Sequence, residues 1–311
     1  MLITWIVVAV AGFGLAMVAS RWAVQQAAML AYGTSIPPFI IGITFFAVGT
    51  DVPEIANSVM ASLVGHGDLN VGDSVGSVMT QITLVLGLLP FFGGTFVVGP
   101  YRASIVSLLT IAALILGAFL VADGYLSRLD ALLLLLAWVA ATALAWRYSP
   151  PESEPVMIAP NHNRLFHAVM VMLSLLLVAA GAGAAVKGIT ELSGQLGVPE
   201  YLISFFGSSI GTSLPELVVD ITALRRGQRD IAFGDITGSC LVDASLSIAA
   251  GPLFFPTLVT ARLAVLGAVV AIGAVFFSSL LIWLRRKHDR WSGTFMLVLY
   301  GIIYVVMLRW R

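Results

Sequence analysis

Residues 42–81 read GITFFAVGTDVPEIANSVMASLVGHGDLNVGDSVGSVMTQ, and residues 204–243 read SFFGSSIGTSLPELVVDITALRRGQRDIAFGDITGSCLVD. At a fixed offset of 162 residues, Ile41 to Gln81 aligns without a gap to Ile203 to Asp243. Eleven of the 40 pairs from Gly42 onward are identical: Gly49/Gly211, Thr50/Thr212, Pro53/Pro215, Glu54/Glu216, Ala61/Ala223, Gly65/Gly227, Asp68/Asp230, Gly72/Gly234, Asp73/Asp235, Gly76/Gly238 and Ser77/Ser239. Chance similarity between two apolar helices falls on Leu, Val and Ala. Here it falls mostly on Gly, Pro and polar residues, which marks an internal duplication.

The surrounding sequence shows where this duplication sits. The chain has 311 residues, of which 59% are hydrophobic and 10% charged. Soluble domains carry about 25% charged residues. Mean hydropathy is +1.00. Such a composition excludes a soluble domain and a disordered chain. Lys and Arg number 16 against 16 Asp and Glu, so there is no basic surface for nucleic acid. The Gly-rich stretches hold no phosphate loop, so no nucleotide is expected. A lone cysteine, Cys240, permits no intrachain disulfide and no cysteine-based zinc site. The apolar runs are continuous rather than alternating, which favours helices over a β-barrel. The expected class is an all-α polytopic membrane protein, with the lipid bilayer as its surroundings and no cofactor.

About 20 apolar residues cross a bilayer. Ten runs reach that length: 2–19, 38–63, 71–97, 103–122, 129–147, 166–186, 199–224, 231–256, 260–284 and 292–310. The connection from Tyr148 to Leu165 holds Pro150, Pro151, Pro155 and Pro160 with two glutamates, a linker composition. It divides the chain into residues 1–147, a linker at 148–165, and residues 166–311, with five runs in each half. No positive residue precedes the first run, so it is expected to be a retained helix rather than a cleaved signal. One side of the membrane collects Arg128, Lys187, Arg262, Arg309 and Arg311. The other collects the remaining eleven cations, including Arg21, Arg225, Arg226 and the cluster Arg285, Arg286, Lys287, Arg290. The richer side is expected to be the cytoplasm, with the linker on it and both termini outside, in the plasma (inner) membrane.

The second copy begins five runs after the first. Five is odd, so the two halves are expected to face opposite ways across the bilayer. Inverted repeats are a mark of secondary transporters, whose sites lie near the midplane on helices broken by Gly or Pro. Each copy places Gly-Thr-x-x-Pro-Glu inside an apolar run. Proline lacks an amide donor, so carbonyls near Ala47 and Ser209 are expected to lose their partners and become cation ligands.

Asp130 and Glu200 sit at the extreme edges of their runs; seven other carboxylates fall inside: Asp51, Glu54, Asp73, Glu216, Asp220, Asp235 and Asp243. No Lys or Arg accompanies them. Each costs about 2.5–3.5 kcal/mol at a helix centre on an insertion scale. Acids at that depth need cations or protons. Thr50 and Glu54 lie one turn apart on a shared helix face, as do Thr212 and Glu216, Ser77 and Gln81, and Ser239 and Asp243. Four helices thus offer carboxylate, hydroxyl, amide and carbonyl oxygens to one point. An all-oxygen site suits calcium, and no His or Met sits at matching positions of the two copies, which disfavours soft metals.

The paired motifs, GTDVPE with GDSVGS and GTSLPELVV with GDITGS, resemble the alpha repeats of the cation/calcium antiporter superfamily, nearest its sodium/calcium exchanger branch. The resemblance covers nearly the whole chain. It implies ten transmembrane helices as two inverted five-helix repeats, and Na+/Ca2+ exchange by alternating access. Runs one and six would be its sliding helices. Carried over position by position, the ligands would be Thr50, Glu54, Ser77, Gln81, Thr212, Ser213, Glu216, Ser239 and Asp243, with the carbonyls of Ala47 and Ser209.

The chain departs from the family pattern toward acidity. Asp51 stands where the family usually has Ser, Asp73 and Asp235 where it has Asn, and Asp220 where Ser is common. Gln81 replaces a common Asn. If Asp51, Glu54, Glu216 and Asp243 all ionised, the centre would hold four charges, of which one calcium neutralises two. That leaves a proton-coupled calcium (or other cation) antiporter as the alternative.

Several residues keep a second reading. Asp51 either joins the site or faces a vestibule. Asp73 and Asp235 either join it or cap a helix N-terminus. Asp220 is either a proton relay or a vestibule acid. Ser77 and Ser239 either ligate or merely let helices approach beside Gly76 and Gly238. A cation channel would need a continuous pore. An intramembrane enzyme would need a nucleophile–base pair, and none is visible in the runs.

Overall fold

A computed structural model describes residues 2–33, 37–148, 163–193 and 200–309. Of the linker expected at 148–165, residues 149–162 lie outside the described residues. The chain is mostly helical, and each of the ten apolar runs falls on a helix or a series of helical pieces. In order these are α1 (Leu2–Gly33), α2 (Pro38–Thr50), α3 (Val52–Leu63), α4 (Gly67–Phe92), α5 (Pro100–Leu120), α6 (Arg128–Arg147), α7 (Arg164–Ser193), α8 (200–212), α9 (Leu214–Arg225), α10 (Arg229–Ala250), α11 (Ala261–Arg285) and α12 (Arg290–Arg309). Among the described residues, five helices are long and apolar enough to cross a membrane: α4, α6, α10, α11 and α12. A sixth arises if α2 and α3, bent by 45°, count as one.

The offset of 162 reappears in the backbone. Four π-turns, in which the helix widens by one residue, interrupt the helices at Gly42–Phe46, Gln81–Val85, Ser204–Ser208 and Asp243–Ser247. The third and fourth begin 162 residues after the first and second. π-turns of this kind tend to mark functional sites. The matched helices α3 and α9 also end alike. Gly65 and Gly227 adopt φ of +80° and +77°. His66 then donates its amide to the Ala61 carbonyl and Gln228 to that of Ala223. Glycine adopts this left-handed conformation without a Cβ penalty.

Glycine faces let the central helices touch. A Cβ on Gly234 of α10 would lie 2.5 Å from the Phe39 carbonyl oxygen, and one on Gly42 would lie 2.7 Å from that of Ile231. In the other copy, a Cβ on Gly72 of α4 would lie 2.8 Å from the Tyr201 carbonyl oxygen. Close backbone approach of this kind is how helices associate in lipid, where no hydrophobic drive separates helix from solvent. The buried apolar residues around it include Phe39, Ile40, Ile41, Phe46, Tyr201 and Phe205.

Two short antiparallel pairs tie the halves together. β1 (Phe96–Val97) pairs with β4 (Lys287–His288), and β2 (Tyr125–Leu126) with β3 (Thr257–Leu258). The buried His288 ring donates from Nε2 to the Leu86 carbonyl at 2.7 Å and accepts the Ser292 hydroxyl at Nδ1, 2.9 Å away. Burial pushes its pKa down to about 4.

The first helix runs to Gly33, beyond the end expected at 19. Arg21, Gln25 and Gln26 lower the hydropathy without opposing a helix. Ala19, Ala23 and Ala27 are buried one turn apart. The helix packs along α7, where Gln26 Oε1 meets His167 Nδ1 at 2.6 Å.

Gly234→Ala should lower the melting temperature in detergent, because the added methyl meets backbone that cannot give. Overpacking of this kind costs about 1–3 kcal/mol. Gly273→Ala on α11, with nothing within 4 Å of the new methyl, should leave it unchanged or raised. The unfolded chain binds a proton at His288 below its ordinary pKa of about 6.5, whereas the folded chain does not until about pH 4. Stability should therefore fall from about pH 6.5 to 4, and by less in His288→Gln; melting curves across that range check the difference.

Candidate cation-binding site

The two Gly-Thr-x-x-Pro-Glu segments break their helices at equivalent points. Asp51 joins α2 to α3 with φ −80° and ψ 5°, and Ser213 joins α8 to α9 with φ −79° and ψ 6°. The carbonyls of Ala47 and Ser209, expected to be freed, each accept an amide: Asp51 N at 3.1 Å and Ser213 N at 3.1 Å. The i, i+4 arithmetic puts the loss elsewhere. Pro53 and Pro215 have no N–H to give to Gly49 and Gly211, four residues earlier.

The threonines that precede the breaks reach across to the other copy. Thr50 donates to the Phe46 carbonyl at 3.0 Å, and its hydroxyl lies 3.2 Å from Asp235 Oδ1 and 3.3 Å from Ser239 Oγ. Thr212 mirrors this, 3.3 Å from Asp73 Oδ1 and 3.3 Å from Ser77 Oγ. Asp73 and Asp235 are thus partners of the opposite repeat's threonine. They are not N-terminal caps, because α4 begins at Gly67 and α10 at Arg229, more than a turn earlier. Ser77 also approaches Glu54 Oε1 at 3.4 Å. At the centre two repeat mates meet directly, where Gln81 Nε2 donates to Asp243 Oδ2 at 2.9 Å. Both residues open π-turns, which turn their side chains inward at the point where α4 and α10 meet.

Asp51, Glu54 and Asp243 complete the arrangement. Each offers a carboxylate oxygen, and the three oxygens lie within 4.8 Å of one another. Glu216 lies against Asp51, and Asp220 against Asp235. All seven intramembrane acids are buried, at most 1% exposed, and none has an ion pair among the described residues. Many of their oxygens lack any hydrogen-bond partner: both of Asp51, Glu216 and Asp220, and one each of Glu54, Asp235 and Asp243. Gln81 Oε1 and Ser213 Oγ are likewise unpaired.

Two unit charges 4.8 Å apart repel by about 3–4 kcal/mol at an effective dielectric of 20. Three such charges, desolvated and without a basic neighbour, are untenable alone. Two oxygens that each sit about 2.4 Å from a calcium ion are at most about 4.8 Å apart, so the spacing suits a hard cation. Unpaired carboxylate, amide and hydroxyl oxygens around the cluster supply further acceptors for it.

Two partners here, Thr80 and Asn57, lie outside the residues expected from the motif. Thr80 Oγ1 lies 3.2 Å from Ser209 Oγ. Asn57 donates to Asp73 Oδ2 at 2.6 Å. The residue opposite Asn57 in the second copy is Val219, and Asp235 there meets Asp220 instead. A polar residue four positions beyond Pro53, on the face that carries Asp51's helix break, was the available signal for Asn57.

A family described as sodium/calcium exchanger protein matches the chain twice, over residues 4–147 and 166–309. An uncharacterized membrane protein of Methanocaldococcus jannaschii is 29% identical over 293 residues, covering 93% of each chain. The sodium/calcium exchanger MaX1 of Methanosarcina acetivorans is 23% identical over 346 residues, covering 93% of this chain and 94% of its own. Among solved structures, the sodium-calcium exchanger NCX_Mj, soaked with Na+ and Sr2+, superposes with a TM-score of 0.79 at 27% identity, over 97% of this chain and 98% of its own.

A ligand that binds only the folded state stabilises it by about 2.7 kcal/mol at one hundred times its dissociation constant. Calcium added to the purified protein should raise its melting temperature in that way. Glu54→Gln and Asp243→Asn should each remove most of the rise, as read by thermal unfolding with and without calcium.

Proposed function

The chain belongs to the sodium/calcium exchanger family, and from that premise we propose that it is a secondary active antiporter that exchanges Ca2+ for Na+ by alternating access. The observation that carries this reading is the buried cluster of Asp51, Glu54 and Asp243 with no basic partner among the described residues. A bare divalent cation neutralises two of those charges, and sodium ions can take its place. In this reading the ligands are Glu54, Glu216, Asp243, Asp51, Thr50, Thr212, Ser213, Ser77, Ser239 and Gln81, with the carbonyls of Ala47 and Ser209. The ten helical runs all span the bilayer, as five-helix halves at 1–147 and 166–311 of opposite orientation. The linker at 148–165 lies in the cytoplasm, and both termini lie outside, in the plasma (inner) membrane. The central pieces α2, α3, α4, α8, α9 and α10 form a fixed core. The long paired helices α1 and α7 slide past it, closing one face of the site as they open the other.

A second reading has its own support. Asp220 lies against Asp235, beyond the central cluster, and together with Glu216 these add acid that one cation does not neutralise. Protons would then be the counter-ion or a fixed part of the charge balance.

Radioactive calcium uptake into proteoliposomes, with sodium, proton and potassium gradients imposed singly, separates these readings. Sodium-driven uptake that drops at least tenfold in Glu54→Gln and in Glu216→Gln is expected. Uptake driven by the pH gradient with sodium absent would favour the proton-coupled reading. Full uptake in both variants would remove the site assignment, and unitary conductance in planar bilayers would replace the antiporter with a channel.

A further inference from the structure

Away from the acidic centre, α1, α4 and α9 enclose a cavity of about 520 Å³. Its rim holds three arginines: Arg21 from α1, and Arg225 and Arg226 from the end of α9. Apart from Thr222, the rest of its lining is apolar: Phe92 at the end of α4, and Leu217, Val218 and Ile221 on α9. Arg225 donates from Nε to the Phe92 carbonyl at 3.2 Å. Among the described residues, no carboxylate lines the cavity. The sequence assigns these arginines only a part in setting orientation.

Charge and shape together limit the occupant. A soluble anion would use the arginines and leave the apolar walls wet. A neutral lipid would fill the walls and leave three cations facing its headgroup. An amphiphile with an anionic phosphate head satisfies both, because guanidinium groups bind phosphate through paired N–H donors and the walls take an acyl chain. The volume lies within the usual range of small-molecule sites, about 300–1,000 Å³. Basic pockets between membrane helices are suited to anionic headgroups.

We propose that this cavity binds one anionic phospholipid from the adjacent leaflet, with its phosphate on Arg21, Arg225 and Arg226 and an acyl chain against Phe92, Leu217 and Ile221. The lipid bridges α1 to the end of α9. It therefore joins the helix proposed to slide to a helix of the proposed core, and its release would accompany sliding. Binding itself requires only that α1 and α9 lie in a membrane, so it stands apart from the identity of the transported ions.

The test uses the full chain in neutral detergent, with phosphatidylglycerol or phosphatidylcholine added at equal concentration. Native mass spectrometry counts retained lipid, and thermal unfolding reports stabilisation. Phosphatidylglycerol should be retained in preference, as a single tight adduct. Arg21→Gln and the Arg225→Gln, Arg226→Gln pair should each reduce that preference, by about fivefold for each arginine removed. Ile221→Trp fills the apolar end without touching charge and should also displace the lipid. Arg128→Gln, at a distant helix start, should change nothing. Equal retention of the two lipids by the unaltered protein would overturn the proposal. So would full preference in the arginine variants, or equal stabilisation by glycerol phosphate without acyl chains. Each reading is independent of calcium flux, so failure here leaves the exchanger reading untouched, and the reverse.

Discussion

Seven carboxylates sit in the interior with, among the described residues, no lysine or arginine paired to them, and the rest of the structure follows from that charge deficit. A buried acid that pairs with a base is a structural choice. A buried acid that pairs with nothing is a demand for a mobile partner. The Asp51, Glu54 and Asp243 oxygens are close enough to share one cation and too close to share none. The helices around them are shaped accordingly. They break at Asp51 and Ser213, widen at Gln81 and Asp243, and pack through glycine so that short side chains reach the centre.

The duplication supplies the geometry, and crossed contacts make it one site. Thr50 of the first copy reaches Asp235 and Ser239 of the second, while Thr212 reaches Asp73 and Ser77 of the first. Gln81 and Asp243, equivalent residues, bond to each other. The two copies therefore complete one another, and neither holds the central oxygens alone. The departures from symmetry fall on charge. Asp51 faces Ser213 across the repeat, and the Asn57 amide that satisfies Asp73 has no counterpart for Asp235, which meets Asp220 instead.

Much of this was legible in the residues, because helical spacing and a fixed offset survive translation into three dimensions. The pairing of Thr50 with Glu54, the acid inventory and the duplicated motif needed only counting. The helix boundaries were less legible. Hydropathy registers lipid exposure, and α1 continues to Gly33 on a buried alanine stripe that lowers no hydropathy score beyond what Arg21 and the glutamines already did. The π-turns left no mark in the pattern of apolar runs. Asp73 and Asp235 looked equally suited to capping, and only the true starts of α4 and α10 separate the two roles. The carbonyls of Ala47 and Ser209 keep an amide partner, because the bond each proline removes is the i, i+4 bond to Gly49 and Gly211.

What turns a caged cation into a transported one is a change in which side can reach it. The central helices meet through backbone contact at glycine, and α1 and α7 pack along each other, with Gln26 Oε1 meeting His167 Nδ1. The most direct test of the caged cation is anomalous diffraction from crystals soaked in strontium. One ordered peak within coordination distance of Asp51, Glu54 and Asp243 is predicted, and it should vanish in Glu54→Gln. A peak elsewhere, with these three carboxylates left empty and unchanged, would contradict the account.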